Sequence, residues 1–218
     1  HISTDEVYGS IAKGESKESD TYDPSSPYSA SKGSADLIAA SFNKTYGIEI
    51  KILNLSNNYG PYQFPEKFIP TLISHFFKNK KAPIYGKGNN IREWMYVEDS
   101  CNAIWKSIIS KKKFKKMNIG SGIRVSNIDI ARTVFKIMKS KNLTNLKKDN
   151  FLHMVKDRPG HDERYALNTK FFKKKIKYKI KKNLKMGLKE TITWYIKNNR
   201  WIKNVNKSYN FKRLGLID

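Results

Sequence analysis

The sequence is poor in cysteine, in arginine and in long apolar runs. Cys101 is the single cysteine among 218 residues, which excludes a disulfide framework and a cysteine-based metal site, and no other metal site is expected. No apolar run approaches the roughly 18 residues of a membrane-spanning helix, and no signal peptide is visible. These absences indicate a reduced, cytoplasmic protein without a membrane partner. The chain begins with His1 rather than Met and runs at once into a motif, so we expect that a preceding segment is missing.

Positive charge is abundant but unevenly distributed. The chain has 43 Lys+Arg and 19 Asp+Glu, a net charge of +24, and residues 1–99 hold only 11 of the basic residues against 12 acidic ones. Of the basic residues 36 are Lys and 7 are Arg, whereas proteins that read nucleic acid favour Arg for its bidentate hydrogen bonds. Lys, Asn and Ile share A/T-rich codons. We therefore interpret the charge as mutational bias on a solvated surface and expect no specific nucleic-acid partner.

The first third of the chain has the pattern of a βαβ unit in a parallel sheet. Ile2–Thr4 ends a buried strand, a Ser-Pro start signal opens a helix at about Tyr28–Tyr46, and Gly47 stops it. The β-branched segment Ile48–Leu55 predicts the second strand. Further on, the pattern predicts a turn at Asn57–Pro61, helices at Phe68–Phe77, Val97–Ile109, Ile128–Met138 and Leu188–Tyr195, and short strands at Pro83–Tyr85, Met117–Ile119 and Leu152–Val155. The stretch from Asn198 is basic and weakly patterned.

Two groups of residues can carry chemistry. A hydroxyl and two carboxylates, Thr4, Asp5 and Glu6, follow the first strand, where open α/β sheets bind ligands. Neighbours on an extended segment point in different directions, so one carboxyl group could act as an acid and the other as a base. Tyr28 and Lys32 lie on one helical face, where an ammonium group lowers the pKa of a phenol. Taken singly, each group could instead be an ordinary acidic turn or a chance pair.

Together these residues resemble the extended short-chain dehydrogenase/reductase family and, within it, the dTDP-glucose 4,6-dehydratases. The resemblance runs from His1 to about Trp201. Besides the YSASK motif of Tyr28–Lys32, it rests on STDEVYG at Ser3–Gly9, SNNYGPYQFPEK at Ser56–Lys67, PIYGKG at Pro83–Gly88, REWMYVED at Arg92–Asp99 and DRPGHDERY at Asp157–Tyr165. The Lys-rich linkers and the tail depart from the family pattern.

The resemblance implies an α/β fold with NAD as cofactor and dTDP-glucose as substrate. It divides the chain into an incomplete Rossmann-type parallel sheet at 1–60, with a return segment at about 94–120, a smaller nucleotide-sugar-binding α/β domain at 61–93 and 121–201, and a basic tail at 202–218. The family places NAD on a Gly-rich turn after its first strand, and no such turn is present here. We therefore expect no turnover by this chain alone.

The resemblance also implies a role for each catalytic residue. Tyr28 would take the proton of the sugar 4-hydroxyl, while Lys32 would lower the Tyr28 pKa and bind the nicotinamide ribose, and Thr4 would hydrogen-bond the 4-oxygen. Glu6 would then remove the C5 proton and Asp5 would protonate the leaving 6-hydroxyl, so that the product is dTDP-4-keto-6-deoxyglucose. The similar epimerases lack this Asp-Glu pair, which favours dehydration.

The resemblance also implies which residues bind the cofactor and the substrate. Asn58 would face the cofactor, together with Tyr28 and Lys32. The expected substrate contacts are Asn57, Lys67, Phe68, Pro83, Ile84, Tyr85, Arg92, Asn127, Asp157, Arg158, Pro159, Gly160 and His161, of which Arg92 would bind the diphosphate.

Two alternatives to this interpretation stay open, namely a sibling nucleotide-sugar epimerase or decarboxylase and a non-catalytic remnant that binds nucleotide sugar. The family is typically dimeric, and the non-core side of the helix at Tyr28–Tyr46 is the candidate homodimer interface.

Overall fold

The computed structural model describes residues 1–157 and 159–208, with side chains up to residue 205. In chain order the elements are β1 (Ile2–Thr4), a 3-10 helix (Asp5–Tyr8), α1 (Pro27–Tyr46), β2 (Ile52–Leu55), β3 (Asn57–Tyr59), α2 (Phe68–Phe77), β4 (Ala82–Tyr85), β5 (Ile91–Tyr96), α3 (Val97–Ile109), β6 (Lys116–Ile119), β7 (Arg124–Ser126), α4 (Asn127–Ser140), β8 (Leu152–Val155), α5 (Lys170–Ile176), α6 (Leu184–Lys197) and α7 (Asn199–Ser208). None of the described helices is both long and apolar enough to cross a bilayer.

The chain forms two compact units. The first contains His1–Asn58, Asn89–Asn127 and Asp157–Leu184, and the second contains Tyr59–Gly88, Ile128–Lys156 and the chain from Lys185. The division of the sequence at about 60, 94 and 120 predicted a similar alternation, but it assigned 157–184 to the other domain. These residues cluster with the first unit because Phe172 and Tyr178 pack into its core.

A three-stranded parallel sheet forms the centre of the first unit. Its strand order is β1-β2-β6, with Thr4 opposite Leu55 and Leu55 opposite Ile119. Apolar side chains of β2 and β6 pack with Met95, Ala103 and Phe172, so burial of apolar surface stabilises this face. The parallel βαβ unit expected from the sequence is thereby confirmed. The second strand is shorter than expected, because residues 48–51 lie outside any strand and β1 offers only three residues for pairing.

Helix α1 begins and ends where its sequence signals predict. Ser26 caps the helix by accepting a hydrogen bond from the Ser29 amide, and Gly47 ends it in the left-handed conformation at φ 69°. The buried residues of α1 are Ser29, Gly33 and Asp36. The larger apolar residues of α1 are not part of this face, since Leu37, Ile38, Phe42 and Tyr46 are 47–68% exposed. Small and polar side chains therefore form the packed face of α1.

A second sheet in strand order β3-β5-β7 was not expected from the sequence. Asn57–Tyr59, expected as a turn, is strand β3, and β5 pairs antiparallel with β7. Strand β5 could not be recognised in the sequence because it contains charged residues. One of them, Glu93, is fully buried. Its carboxylate accepts hydrogen bonds from Arg124 Nε at 3.1 Å, Gly122 N at 2.9 Å and Leu167 N at 3.2 Å, which offset the cost of burying the charge.

The second unit is built from α2, α4, α6 and α7 with a two-stranded parallel sheet of β4 and β8. An aromatic group lies in its core, where Phe135 stacks on Phe151 at a centroid distance of 4.2 Å and meets Phe76 edge-on at 5.5 Å. Helix α7 includes residues that were expected to belong to a weakly patterned basic tail. Residues 209–218 of that tail lie outside the described residues.

Candidate active site

The candidate site of the first unit is built around the turn that follows β1. Thr4 caps the 3-10 helix, and its hydroxyl accepts a hydrogen bond from the Glu6 amide at 3.3 Å. Gly9 closes the turn at φ 71°, and a Cβ there would lie 2.2 Å from the Asp23 carbonyl oxygen, so the position requires glycine. The turn thereby holds Asp5 and Glu6 directly beyond the carboxyl end of a parallel strand.

Asp5 is a buried carboxyl group with an incomplete set of hydrogen bonds. It is 2% exposed, and its Oδ1 accepts a hydrogen bond from the Thr4 hydroxyl at 3.2 Å. Its Oδ2 is buried and has no partner among the described residues. Burial raises the pKa of Asp5 well above its usual value, and the nearby Glu6 and Glu93 raise it further, against smaller opposing effects of the Thr4 hydrogen bond and Arg92. These conditions favour the protonated form, as a general acid requires.

Glu6 lies beside Asp5 in a different environment. Glu6 is half-buried whereas Asp5 is almost fully buried, so the two adjacent carboxyl groups differ in their access to solvent. Glu6 also acts electrostatically on both Asp5 and Tyr28, which places these three groups in one neighbourhood. The structure thus brings together an acid, a second carboxyl group and a phenol, as the sequence predicted.

Tyr28 and Lys32 lie one helical turn apart on α1, but their expected electrostatic coupling is not observed. Burial raises the pKa of Tyr28, and Glu6 and Asp5 raise it further. The Lys32 ammonium group donates a hydrogen bond to the Ile2 carbonyl oxygen at 2.6 Å, which ties α1 to β1. The predicted lowering of the Tyr28 pKa by Lys32 is not met here, because burial is the largest influence on Tyr28, the two carboxyl groups add to it, and the Lys32 ammonium group is engaged at Ile2.

Asp36 is a central residue of this region that the sequence analysis missed. It lies one turn beyond Lys32, is 2% exposed, and accepts hydrogen bonds from the Ser3 hydroxyl at 2.8 Å and the Tyr22 hydroxyl at 2.6 Å. His1 Nε2 lies 3.0 Å from its Oδ1. Its position in the series 28, 32, 36 along one helical face was the available signal. Asp36 fixes α1 against β1 and so sets Tyr28 relative to the turn.

Buried polar atoms without partners also mark the end of β2. Ser56 Oγ and Asn57 Oδ1 are buried and lack a hydrogen-bond partner among the described residues. The side chain of Asn58 is bound within the unit, because its Nδ2 donates to the Ser56 carbonyl oxygen at 3.1 Å and its Oδ1 accepts from the Ser100 hydroxyl. Ser56 and Asn57 therefore offer unused hydrogen-bonding capacity at the carboxyl end of the sheet, and Asn58 supports the turn.

Arg92 is mostly occupied by contacts inside the first unit. It is 5% exposed, its guanidinium donates to the Asp162 carbonyl oxygen at 2.7 Å and to the Ile91 carbonyl oxygen at 2.9 Å, and it lies 4.3 Å from the centre of the Tyr165 ring. Its charge also lowers the Asp5 pKa slightly. Arg92, which was expected to bind the diphosphate, thus holds the segment around Asp162 against β5 in this structure.

The remaining predicted binding residues of the first unit lie in loops and at a helix start. His161 Nδ1 is 2.7 Å from an Asp157 oxygen, and the Gly160 backbone, at φ 62°, passes the Ser25 carbonyl oxygen so closely that a Cβ would lie at 3.1 Å. Pro159 is exposed, and Arg158 lies outside the described residues. Asn127 begins α4 and donates its amide to the Asn90 carbonyl oxygen at 3.0 Å.

In the second unit, the predicted residues fall at the start of α2 and along β4. Lys67 is exposed and Phe68 half-buried. Pro83 and Tyr85 are half-buried on one side of β4, whereas Ile84 points to the other side and is 1% exposed. The alternation of side chains along a strand buries the Ile84 side chain in the core, so its expected substrate contact stays a prediction that only the backbone of Ile84 could fulfil. No group of three or more metal-binding side chains occurs in the described part of the chain.

Comparison with known proteins identifies the family of the chain. The model of the GDP-mannose 4,6 dehydratase family matches residues 1–191. The chain belongs to this family. A probable dTDP-glucose 4,6-dehydratase of Sinorhizobium fredii is 40% identical over 220 residues, which cover 100% of the chain and 63% of the relative. The dTDP-glucose 4,6-dehydratase of Escherichia coli is 38% identical over 235 residues, covering 100% of the chain and 64% of the relative.

Solved structures of this dehydratase family show the same fold. The crystal structure of dTDP-glucose 4,6-dehydratase from Bacillus anthracis in complex with NAD is 38% identical, with a TM-score of 0.85, and the match covers 94% of the chain and 63% of that structure. The chain thus spans less than two thirds of the length of these relatives, and it has their α/β fold with a Rossmann-like parallel sheet.

Proposed function

We propose that the protein to which this chain belongs is a dTDP-glucose 4,6-dehydratase, and that the chain carries its acid-base residues. The observation that supports this most directly is the buried Asp5, whose pKa burial raises, beside Glu6 and Tyr28. An epimerisation needs no carboxylic acid at this place, whereas the elimination of water next to a ketone needs one group to take a proton and another to give one.

The proposed reaction begins at the sugar 4-hydroxyl. Tyr28 accepts the hydroxyl proton, and Thr4 orients the oxygen. Bound NAD would supply the hydride acceptor and donor for the oxidation and the later reduction. In the present state the Tyr28 pKa is raised, so proton uptake requires positive charge near the phenol; Lys32, one turn away on the same face, is placed to provide it after leaving the Ile2 carbonyl.

Elimination then uses the two carboxyl groups in turn. The 4-keto group acidifies the C5 proton, which the half-buried Glu6 removes. Asp5 gives its proton to the departing 6-hydroxyl, which leaves as water. Since burial favours the protonated form of Asp5, the acid is ready before the substrate arrives.

The residues at the end of β2 fit a polar ligand such as a nicotinamide group or a sugar. Ser56 Oγ and Asn57 Oδ1 are buried with no protein partner among the described residues, and an unsatisfied buried polar group costs about 1–3 kcal/mol. A ligand with hydroxyl or amide groups would remove that cost. This fit supports NAD and dTDP-glucose as ligands, with Tyr28, Lys32 and Asn58 on the cofactor side.

We propose that the substrate is recognised by the residues that the resemblance assigns to it. On the resemblance, the nucleotide sugar is contacted by Asn57, Lys67, Phe68, Pro83, Ile84, Tyr85, Arg92, Asn127, Asp157, Arg158, Pro159, Gly160 and His161. The exposed Lys67 offers a charge that suits a diphosphate, whereas Arg92 would have to release part of its carbonyl contacts. A cytoplasmic location and the absence of a nucleic-acid partner remain predictions.

A homodimer through α1 is supported by the exposure of its apolar residues. Leu37 is 68% exposed, Ile38 59% and Phe42 47%, and Ile38 and Phe42 lie one turn apart on the side of the helix away from its buried residues. Burial of such a face against a second copy would remove apolar surface from water, at about 25 cal/mol per Å².

The function is tested by restoring the part of the family pattern that this chain does not cover. We would fuse the unmatched N-terminal part of the Escherichia coli relative in front of His1 and assay the fusion with dTDP-glucose, with the 218-residue chain as control. We expect a product that has lost one water, detected by mass spectrometry, from the fusion alone.

Two variants of the fusion separate the alternatives. Glu6→Gln should stop C5 proton exchange with deuterated water, and Asp5→Asn should slow the loss of water while exchange continues.

Turnover of UDP-glucose to an epimer, or of UDP-glucuronate with loss of carbon dioxide, would identify a sibling enzyme. Binding of dTDP-glucose without conversion would identify a non-catalytic remnant.

A further inference from the structure

Three aromatic rings in the second unit form a closed cluster, and one of them belongs to the loop that leads to the predicted substrate contacts Lys67 and Phe68. The ring of Tyr62 lies 4.4 Å from that of Trp194 on α6 and 5.6 Å from that of Trp201 on α7, measured between centroids. The two tryptophan rings are themselves 5.2 Å apart. We call these residues the ring triad, and residues 60–67, which run from β3 to Lys67 at the start of α2, the entry loop.

The backbone of Tyr62 is held in an unfavourable conformation. Its φ is 61°, in the left-handed region that non-glycine residues rarely adopt. The side chain is 67% exposed, so burial in a core does not account for the conformation. Aromatic pairs at centroid distances of 4.5–7 Å attract each other beyond their burial. The contacts of Tyr62 with Trp194 and Trp201 are therefore the interactions that oppose the backbone strain.

One residue of the entry loop, the buried Pro65, borders a cavity. A cavity of about 470 Å³ lies between α2, α6 and α7, and Pro65 of the loop forms part of its lining together with Pro70, Ile73, Tyr195 and Ile202. Hydrogen bonds also hold the loop. The Tyr195 hydroxyl donates to the Gln63 carbonyl oxygen. The Thr71 hydroxyl lies 3.1 Å from the carbonyl oxygens of both Pro65 and Glu66, to which it donates. The ring contacts of Tyr62 add to these hydrogen bonds on the side of the loop that they do not reach.

We propose that the ring triad is a positioning device that fixes the entry loop and, through it, the place at which Lys67 and Phe68 meet the nucleotide. This inference rests on the proposed function for its ligand. Tyr62, Trp194 and Trp201 act through the loop and do not contact the substrate, so α6 and α7 contribute to nucleotide affinity without forming part of the binding surface.

The test uses the whole 218-residue chain and two measurements. Hydrogen exchange of the entry-loop amides reports the hold of the triad, and calorimetric titration with dTDP reports nucleotide affinity. The variants are Tyr62→Ala and Trp201→Ala, which remove one ring each, and Tyr62→Phe, which keeps the ring. Tyr46→Ala is the matched control, because Tyr46 is 68% exposed but lies on α1.

We expect Tyr62→Ala and Trp201→Ala to speed exchange in the entry loop and to weaken dTDP binding by about tenfold, a change of 1.4 kcal/mol. Exchange elsewhere in the second unit should stay unchanged, and Tyr62→Phe and Tyr46→Ala should behave as the wild type. A merely structural role would instead speed exchange throughout the unit.

Two results would overturn the inference. Unchanged loop exchange in both alanine variants would show that the triad does not hold the loop, and faster exchange with unchanged affinity would show that the hold does not position the nucleotide contacts. A wild-type chain that does not bind dTDP would refute the proposed nucleotide contacts, and with them the positioning role, while the exchange measurement would still decide whether the triad fixes the loop.

Discussion

Replacing Asp5 by asparagine should stabilise the chain at neutral pH although it removes the proposed catalytic acid. Asp5 is 2% exposed, its Oδ2 has no partner among the described residues, and burial raises its pKa. An unsatisfied buried polar group costs about 1–3 kcal/mol, and more when it is charged. Asparagine keeps the size and the contact with Thr4 and is neutral at every pH, whereas folding at neutral pH forces aspartate either to take up a proton or to bury a charge.

The effect has a defined pH dependence. A carboxyl group whose pKa is higher in the folded than in the unfolded state binds more protons when folded, so its contribution to stability falls as pH rises. The loss begins above the unfolded pKa, near 3.8, and continues up to the raised folded pKa. We therefore expect Asp5→Asn to match the wild type at pH 4 and to be more stable by about 1–3 kcal/mol at pH 8, or about 2–10 °C in melting temperature.

The assay is urea unfolding at both pH values, followed by circular dichroism. Asp99→Asn is the matched control, because Asp99 is also 2% exposed but accepts hydrogen bonds from the Tyr178 hydroxyl at 2.5 Å, Lys181 N at 3.0 Å and Lys182 N at 2.9 Å. This control should lose about 1–3 kcal/mol at pH 8. The reasoning is refuted if Asp5→Asn gains nothing at pH 8, or gains as much at pH 4.

Three further predictions follow from the contacts of the first unit. Arg92→Ala should destabilise the chain by about 3 kcal/mol in urea unfolding, because the Asp162 and Ile91 carbonyl oxygens lose a buried charged donor, and Arg92→Lys should not restore it fully. Tyr22→Phe should cost about 1 kcal/mol in the same assay through the lost hydrogen bond to Asp36, and an unchanged midpoint would contradict the role given to Asp36. The double variant Leu37→Glu and Phe42→Glu should be monomeric in sedimentation, with unfolding unchanged, if α1 forms a dimer.

The sequence predicted the elements whose signals are local. The Ser cap and Gly47 stop of α1, and the acidic start of α3, are short patterns with a direct physical cause, and both helices lie where expected. Strand β5 was not predicted, because Glu93 looks like a surface residue until its partners Gly122, Arg124 and Leu167 are known. Those partners come from distant parts of the chain, which no local pattern contains.

In the candidate site too, the local sequence predicted which residues take part but not the contacts that surround them. The Thr4, Asp5, Glu6, Tyr28 and Lys32 set could be identified by spacing, and the structure places Asp5, Glu6 and Tyr28 within electrostatic reach. The direction of the Tyr28 pKa shift could not be predicted, because it depends on where the Lys32 ammonium group binds and on how deeply the carboxyl groups are buried. The packed face of α1 could not be predicted from apolar spacing either, because its buried residues are Ser29, Gly33 and Asp36.

The unpartnered oxygen of Asp5 also bears on how the gene has been selected. An aspartate codon becomes an asparagine codon by a single G-to-A change, which is the direction of the base composition that fills this chain with Lys, Asn and Ile. If Asp5→Asn stabilises the protein as expected, both mutation and folding favour asparagine at this position. If aspartate persists against both pressures, a third selective pressure must favour it. Proton donation would supply that pressure, because the amide of asparagine cannot act as an acid. Asp5 would be among the first residues to disappear from a lineage released from catalysis.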